Sequence, residues 1–126
     1  MALCTPSRRI PADSARTAYE TWNAPDDPQL HQLLGVALAY LGRSDEAIGE
    51  VRRGIEMAGQ SIGNRTYGVH QLVRVYLLAG KPDLALDQLE LLLTLPYHVT
   101  RRWLTVDPDF AALRGTARFV RLIAGG

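Results

Sequence analysis

One stretch of this chain is written twice. LGVALAYLGRSDEAI, Leu34 to Ile48, overlays LVRVYLLAGKPDLAL, Leu72 to Leu86, at a constant offset of 38 residues. Leu34 pairs with Leu72, Leu38 with Tyr76, Gly42 with Gly80 and Ala47 with Ala85. In each copy apolar residues recur at helical spacing, stop at a glycine and resume at helical spacing. The repeated unit is a helix, a tight turn and a second helix. A helical hairpin cannot bury its apolar face alone, so a repeated hairpin must lean on its neighbour.

The small residues between the apolar ones explain how two such helices cross. Helix axes pack about 8–10 Å apart, at a distance set by the side chains at the contact. Gly35, Ala37, Ala39 and Ala47 leave room for a close approach. Gly35 and Ala47 are expected to face each other, with Leu34, Leu38 and Val51 filling the grooves beside them. Enlarging Ala47 or Ala85 should overpack the crossing at a cost of about 1–3 kcal/mol or more.

The rest of the chain divides around the two hairpins. Residues 1–11 contain Pro6 and Pro11 without periodicity and read as a flexible lead-in. Ala12 to Asn23 reads as a single helix with Ala15, Ala18, Tyr19 and Trp22 on one face, covering the first hairpin. Asp27-Pro28 starts the next helix, Asp accepting from first-turn N–H groups and Pro being tolerated at the first position. The first hairpin spans about 28–61, with Ser44 as the expected cap of its second helix and Gly59 and SIGN at its end. The second spans about 66–97. Residues 98–124 read as a folded-back cap of short helices carrying Trp103, Leu104, Phe110, Leu113, Phe119 and Leu122 inward. Asp107-Pro108 reads as a helix start, Gly115 as a stop and Thr116 as a new cap.

These positions resemble the tetratricopeptide repeat, a hairpin of about 34 residues with L-G-x-x-Y, a glycine turn and then spaced small and apolar residues. The matching positions are Leu34, Gly35, Leu38, Gly42, Ala47, Val51 and Gly54, then Leu72, Val73, Tyr76, Gly80, Ala85, Leu89 and Leu92. Val73 and Leu92 replace small residues, and Gly59 and Tyr97 stand where the family closes with proline. The offset exceeds the family period by four residues, placed in a Gln60 to Arg65 connection. The tail from Leu86 to Ile123 is similar to the end of bacterial multidomain proteins that carry such repeats after a kinase, adenylate cyclase or winged-helix domain. Leu95-Pro96, Leu104, Asp107-Pro108, Leu113-Arg114 and Arg118-Phe119 carry that likeness. The resemblance implies an all-α fold, a right-handed superhelix of antiparallel hairpins with a C-terminal cap. It also implies that the chain corresponds to the last part of such proteins, beginning at the second helix of a repeat.

Composition narrows the function. A net charge of +1 gives no electrostatic case for nucleic acid. Arg101, Arg102, Arg114, Arg118 and Arg121 read as a solvated face with local ion pairs against Asp107 and Asp109. Cys4 is the single cysteine, so no internal disulfide forms. No apolar run approaches the roughly 20 residues of a membrane span, and the N-terminus lacks a signal-peptide core. A cytoplasmic location is the default. His31, His70 and His98 lack metal-site spacing, and no phosphate loop or nucleophile signature occurs. The expectation is a module without catalysis, metal or cofactor.

By the resemblance, the first helix of each hairpin lines a concave groove that docks a protein or peptide. Its positions are Gln29, Gln32, Val36, Ala39 and Tyr40, then Tyr67, His70, Arg74, Leu77 and Leu78. Arg74 can hold a carboxylate bidentately and the tyrosines supply aromatic area. The lysine and asparagine set that clamps a peptide C-terminus in chaperone-binding members is absent. Two alternatives stand beside docking. One is a self-associating regulatory module, a homodimer through the N-terminal edge. The other is a small-molecule sensor using Tyr40, His70 and Arg74.

Overall fold

A computed structural model describes residues 26–125 of the chain. The lead-in, Cys4 and the expected helix over 12–23 lie outside the described residues, and so does any dimer edge formed there. Six α-helices and one 3-10 helix follow in order: α1 (Pro28–Tyr40), α2 (Ser44–Ala58), α3 (Ile62–Leu78), α4 (Pro82–Leu92), α5 (Arg101–Val106), the 3-10 helix Pro108–Leu113 and α6 (Ala117–Ala124). The described residues are all-α, without a strand.

The two hairpin turns are built alike, bond for bond. After α1, Arg43 N–H donates to the Leu38 carbonyl at 3.0 Å and Gly42 N–H to the Ala39 carbonyl at 3.0 Å. After α3, Lys81 N–H donates to the Tyr76 carbonyl at 2.8 Å and Gly80 N–H to the Leu77 carbonyl at 3.2 Å. This paired pattern satisfies the last carbonyls of a helix and needs a left-handed residue at its centre. Gly42 (φ 80°) and Gly80 (φ 73°) supply it. The turn also decides how the next helix begins. Arg43 is both the last residue of the turn and the N-cap of α2, without a side-chain cap hydrogen bond. Ser44 is the first helical residue rather than the expected cap. Asp45 and Glu46 still place negative charge in the first turn, where unpaired N–H groups gather.

Other starts follow the side-chain logic. Asp27 accepts from the N–H groups of Gln29 at 2.9 Å and Leu30 at 3.4 Å. Thr116 accepts from Phe119 N–H at 3.3 Å. Asp107 accepts from Asp109 N–H at 2.9 Å, but the helix it starts is 3-10. Ser61 accepts from Asn64 N–H at 3.3 Å and so starts α3 early. The expected connection over Gln60 to Arg65 is therefore mostly helix. α3 has 17 residues against 13 in α1, so the four extra residues form one more helical turn.

α3 is the central element, packed against α1, α2, α4 and the 3-10 helix. Val73, Val75 and Tyr76 line it with 2% exposure or less. Ala47, Val51, Ala85 and Leu89 are fully buried on the second helices of the two hairpins. A Cβ on Gly35 would stand 2.2 Å from Val51 Cγ2 and 2.9 Å from the Ala47 carbonyl oxygen. On Gly54 it would stand 2.7 Å from the Pro28 carbonyl oxygen, and on Gly68 2.5 Å from Ile55 Cγ1. Glycine thus holds the α1–α2 crossing and the approach of α3. In the second hairpin, Val73 and Leu92 occupy the corresponding places and are buried. The cap closes the other side of α3 and α4. Leu104, Phe110, Leu113 and Phe119 are buried there, while Trp103 stays 42% exposed, its indole N–H donating to Asp107 Oδ2 at 2.7 Å. Arg118 ties α6 to α4 through Asp87 at 2.6 Å and Glu90 at 3.1 Å.

Candidate functional site

Tyr67, His70 and Arg74 fall three or four residues apart, Leu77 and Leu78 stand three and four beyond Arg74, and the five form one stripe on α3. The structure divides that stripe in two, and it divides the α1 set as well.

Gln32 and Val36 are correctly placed on α1 but do not line an open groove. Gln32 is fully buried, Val36 is 1% exposed and Ala39 1% exposed. For Gln32 the cause lies in the small residues around it. Gly54 and Gly68 let α2 and α3 close onto Gln32, whose Nε2 donates to the Asn64 carbonyl at 3.1 Å. Gln29 remains exposed and donates from Nε2 to Asn64 Oδ1 at 3.1 Å. These two glutamines join the starts of α1 and α3.

Tyr67 and His70 lie toward the cap. His70 Nδ1 meets the Tyr97 hydroxyl at 2.9 Å, and its ring stacks over Phe110 with centroids 6.2 Å apart. His98 stands edge-on to His70 at 6.0 Å and to Trp103 at 5.2 Å. His70 Nε2 is buried and has no hydrogen-bond partner among the described residues. Burial, together with the Arg74 and His98 charges, pushes the His70 imidazole down to about 4, with Asp107 pulling weakly the other way. The ring is neutral at pH 7. Burial raises the Tyr67 phenol, against the pull of Arg74. Tyr97 is pushed up to about 12 by burial and by Tyr67. This half of the stripe is an aromatic joint between α3 and the cap, and its polar atoms are neutral.

The other half is open. Tyr40, Arg74, Leu77 and Leu78 border a cleft of about 330 Å³, closed on its far side by Pro108, Asp109, Ala111 and Ala112 of the 3-10 helix. Arg74 is not a lone groove cation. Its Nε stands 3.3 Å from Asp109 Oδ2, and its Nη1 donates to Gln71 Oε1 at 2.8 Å. The cleft is an apolar trough with one half-exposed ion pair in its wall. Four of the ten expected groove residues meet there, and four residues of the cap complete it. The sequence marked Asp107-Pro108 as a helix start but gave no sign that this turn would face Arg74. The available signal was Arg74 itself, a cation in an apolar stripe that calls for a nearby anion.

Among the described residues no group of three His, Cys, Asp or Glu side chains is placed to hold a metal ion. No described helix is long and apolar enough to cross a membrane. Of the tail arginines, Arg101 donates to the Leu122 carbonyl at 3.0 Å and Arg114 to the Asp107 carbonyl at 2.5 Å, alongside the Arg118 clamp. Comparison with protein-family models, curated proteins and solved structures finds no match to the chain.

Proposed function

We propose that this chain is a non-catalytic interaction module of the tetratricopeptide type, docking a protein or peptide segment in the cleft between its first helices and its cap. The observation that carries the reading is that cleft. It lies where α1 and α3, the first helices of the two hairpins, come together, and it is lined by Tyr40, Leu77 and Leu78 beside Arg74. Apolar walls supply affinity and a few placed polar groups supply orientation, the usual division of labour in a binding site. The module reading draws on two features of the chain: the duplicated turn at Gly42 and Gly80, and small residues at the first crossing.

The reading moves the docking surface away from Gln32, Val36 and His70 and toward the cap. Segments selected from a displayed random-peptide library test it. Tyr40→Ala and Ala111→Arg each alter the cleft wall from a partly or fully exposed position. Each is expected to weaken the selected segments about tenfold or more, which corresponds to about 1.4 kcal/mol. Selected segments that bind both variants as well as the parent chain would remove the cleft as the docking surface.

A further inference from the structure

The cap is held together by bonds of its own. Trp103 Nε1 donates to Asp107 Oδ2 at 2.7 Å, Arg114 to the Asp107 carbonyl at 2.5 Å and Arg101 to the Leu122 carbonyl at 3.0 Å. A connection without helix, residues 93–100, joins it to α4. Three contacts at its border with the hairpins depend on the protonation of one partner: His70 with the Tyr97 hydroxyl, Arg74 with Asp109, and Arg118 with Asp87 and Glu90. The crossings inside the hairpins are made of Gly35, Ala47, Val51, Ala85 and Leu89, which no proton alters.

His70 is the buried member of that border. On its own helix it has Tyr67 and Arg74, from the connection Tyr97 and His98, and from the cap Phe110 and Asp107. A proton on this ring sets a second cation beside Arg74, and Nε2 is buried without an acceptor among the described residues. Asp107 opposes it, but both Asp107 oxygens already accept, from the Trp103 indole and from Asp109 N–H. From this geometry we infer that acid releases the cap from α3 as a unit while the hairpins stay folded, with His70 as the trigger. Release lets water reach the ring, and the proton refused in the closed form is then taken up. Below pH 6.5 each unit of acidity therefore favours the open form by about tenfold, until the closed form also binds the proton near 4. Loss of carboxylate charge at Asp87, Glu90 or Asp109 acts in the same direction. With the cap goes the far wall of the cleft, Pro108, Asp109, Ala111 and Ala112, so acid withdraws the cleft. The cap is released in this way whatever the cleft docks.

Hydrogen exchange of the full chain tests this, read by mass spectrometry of peptic fragments and corrected for the intrinsic rate at each pH. At pH 5 the best-protected amides of the cap are expected to be at least tenfold less protected than those of α1 and α2. Cap protection is expected to fall at least tenfold from pH 7 to pH 5, and less than threefold in His70→Gln, whose side chain does not titrate. If His70→Gln does not fold, His70→Phe keeps a ring against Phe110 and takes its place. Equal protection of cap and hairpins at pH 5 would overturn the inference, because the cap would then leave only with the whole domain. Cap protection that stays constant with pH, or falls equally in the variant, would overturn it as well.

Discussion

Gly35 and Gly80 are both glycines, and they are required for opposite reasons. Gly35 has ordinary helical backbone but no space: a Cβ there would lie 2.2 Å from Val51 Cγ2 and 2.9 Å from the Ala47 carbonyl oxygen. A backbone carbonyl cannot swing aside, so α1 and α2 must part. Gly35→Ala is expected to cost about 2 kcal/mol, since overpacking of roughly 1–3 kcal/mol exceeds any gain in helix propensity. A thermal melt should show the midpoint lowered by the order of 10 °C. An unchanged midpoint would mean that the crossing tolerates a methyl group and is looser than described. At Gly80 the space is open but φ is 73°, where L side chains are strained. The sequence flagged Gly80 through the repeat, and Gly35 and Gly54 as small positions of the hairpin pattern. It could not tell that Gly68 acts with them, because its neighbours, Gln32 and Ile55, are distant in the chain.

At the scale of elements, the repeat is a repeated turn more than a repeated helix. The two turns share the same hydrogen-bond pattern, although the side chains around them differ. α3 exceeds α1 by a full helical turn at the other end, where Ser61 supplies a cap. The left-handed conformation costs a non-glycine residue roughly 1–2 kcal/mol. Gly80→Ala is therefore expected to destabilise by about that amount. Gly80→Asn should lose less, because asparagine enters this region more readily. Chemical denaturation with an unaltered m-value would read both. Equal, negligible effects would show that the turn geometry is not what joins α3 to α4. The caps also show the limit of sequence signals. Asp27 and Thr116 act as their side chains suggest, whereas Ser44 is displaced by one position because the preceding turn already fixes Arg43.

For the whole molecule, the decisive joint is between α3 and the cap, and His70 is its titratable centre. The ring stacks on Phe110, bonds Tyr97 and faces Arg74, His98 and Asp107. Its imidazole is held down to about 4 from the usual 6.5. The unfolded chain therefore binds a proton that the folded chain refuses between those values. Stability from this group is complete above pH 6.5 and falls as pH drops toward 4. At 1.36 kcal/mol per unit the loss reaches about 3 kcal/mol at the acid end. Melting midpoints measured between pH 7 and pH 5 should decline in the parent chain and decline less in His70→Phe. Parallel profiles in that range, above most carboxyl titration, would mean that His70 is not shielded by the cap.

The sequence by itself determined the helical class, the two glycine turns, most apolar positions of the core and the caps at Asp27, Asp107 and Thr116. Those properties depend on neighbours within a few residues, and helical periodicity and backbone conformation report them directly. Tertiary structure decided which polar residues stay open. Gln32 and Val36 have spacing as suitable for a groove as Tyr40, but both are buried, Gln32 beneath glycines of two other helices. Arg74 reads as a free cation until the 3-10 turn brings Asp109 beside it. A contact between α3 and a segment more than thirty residues further along leaves no periodic trace in either partner, so the cleft could only emerge once the cap had folded back.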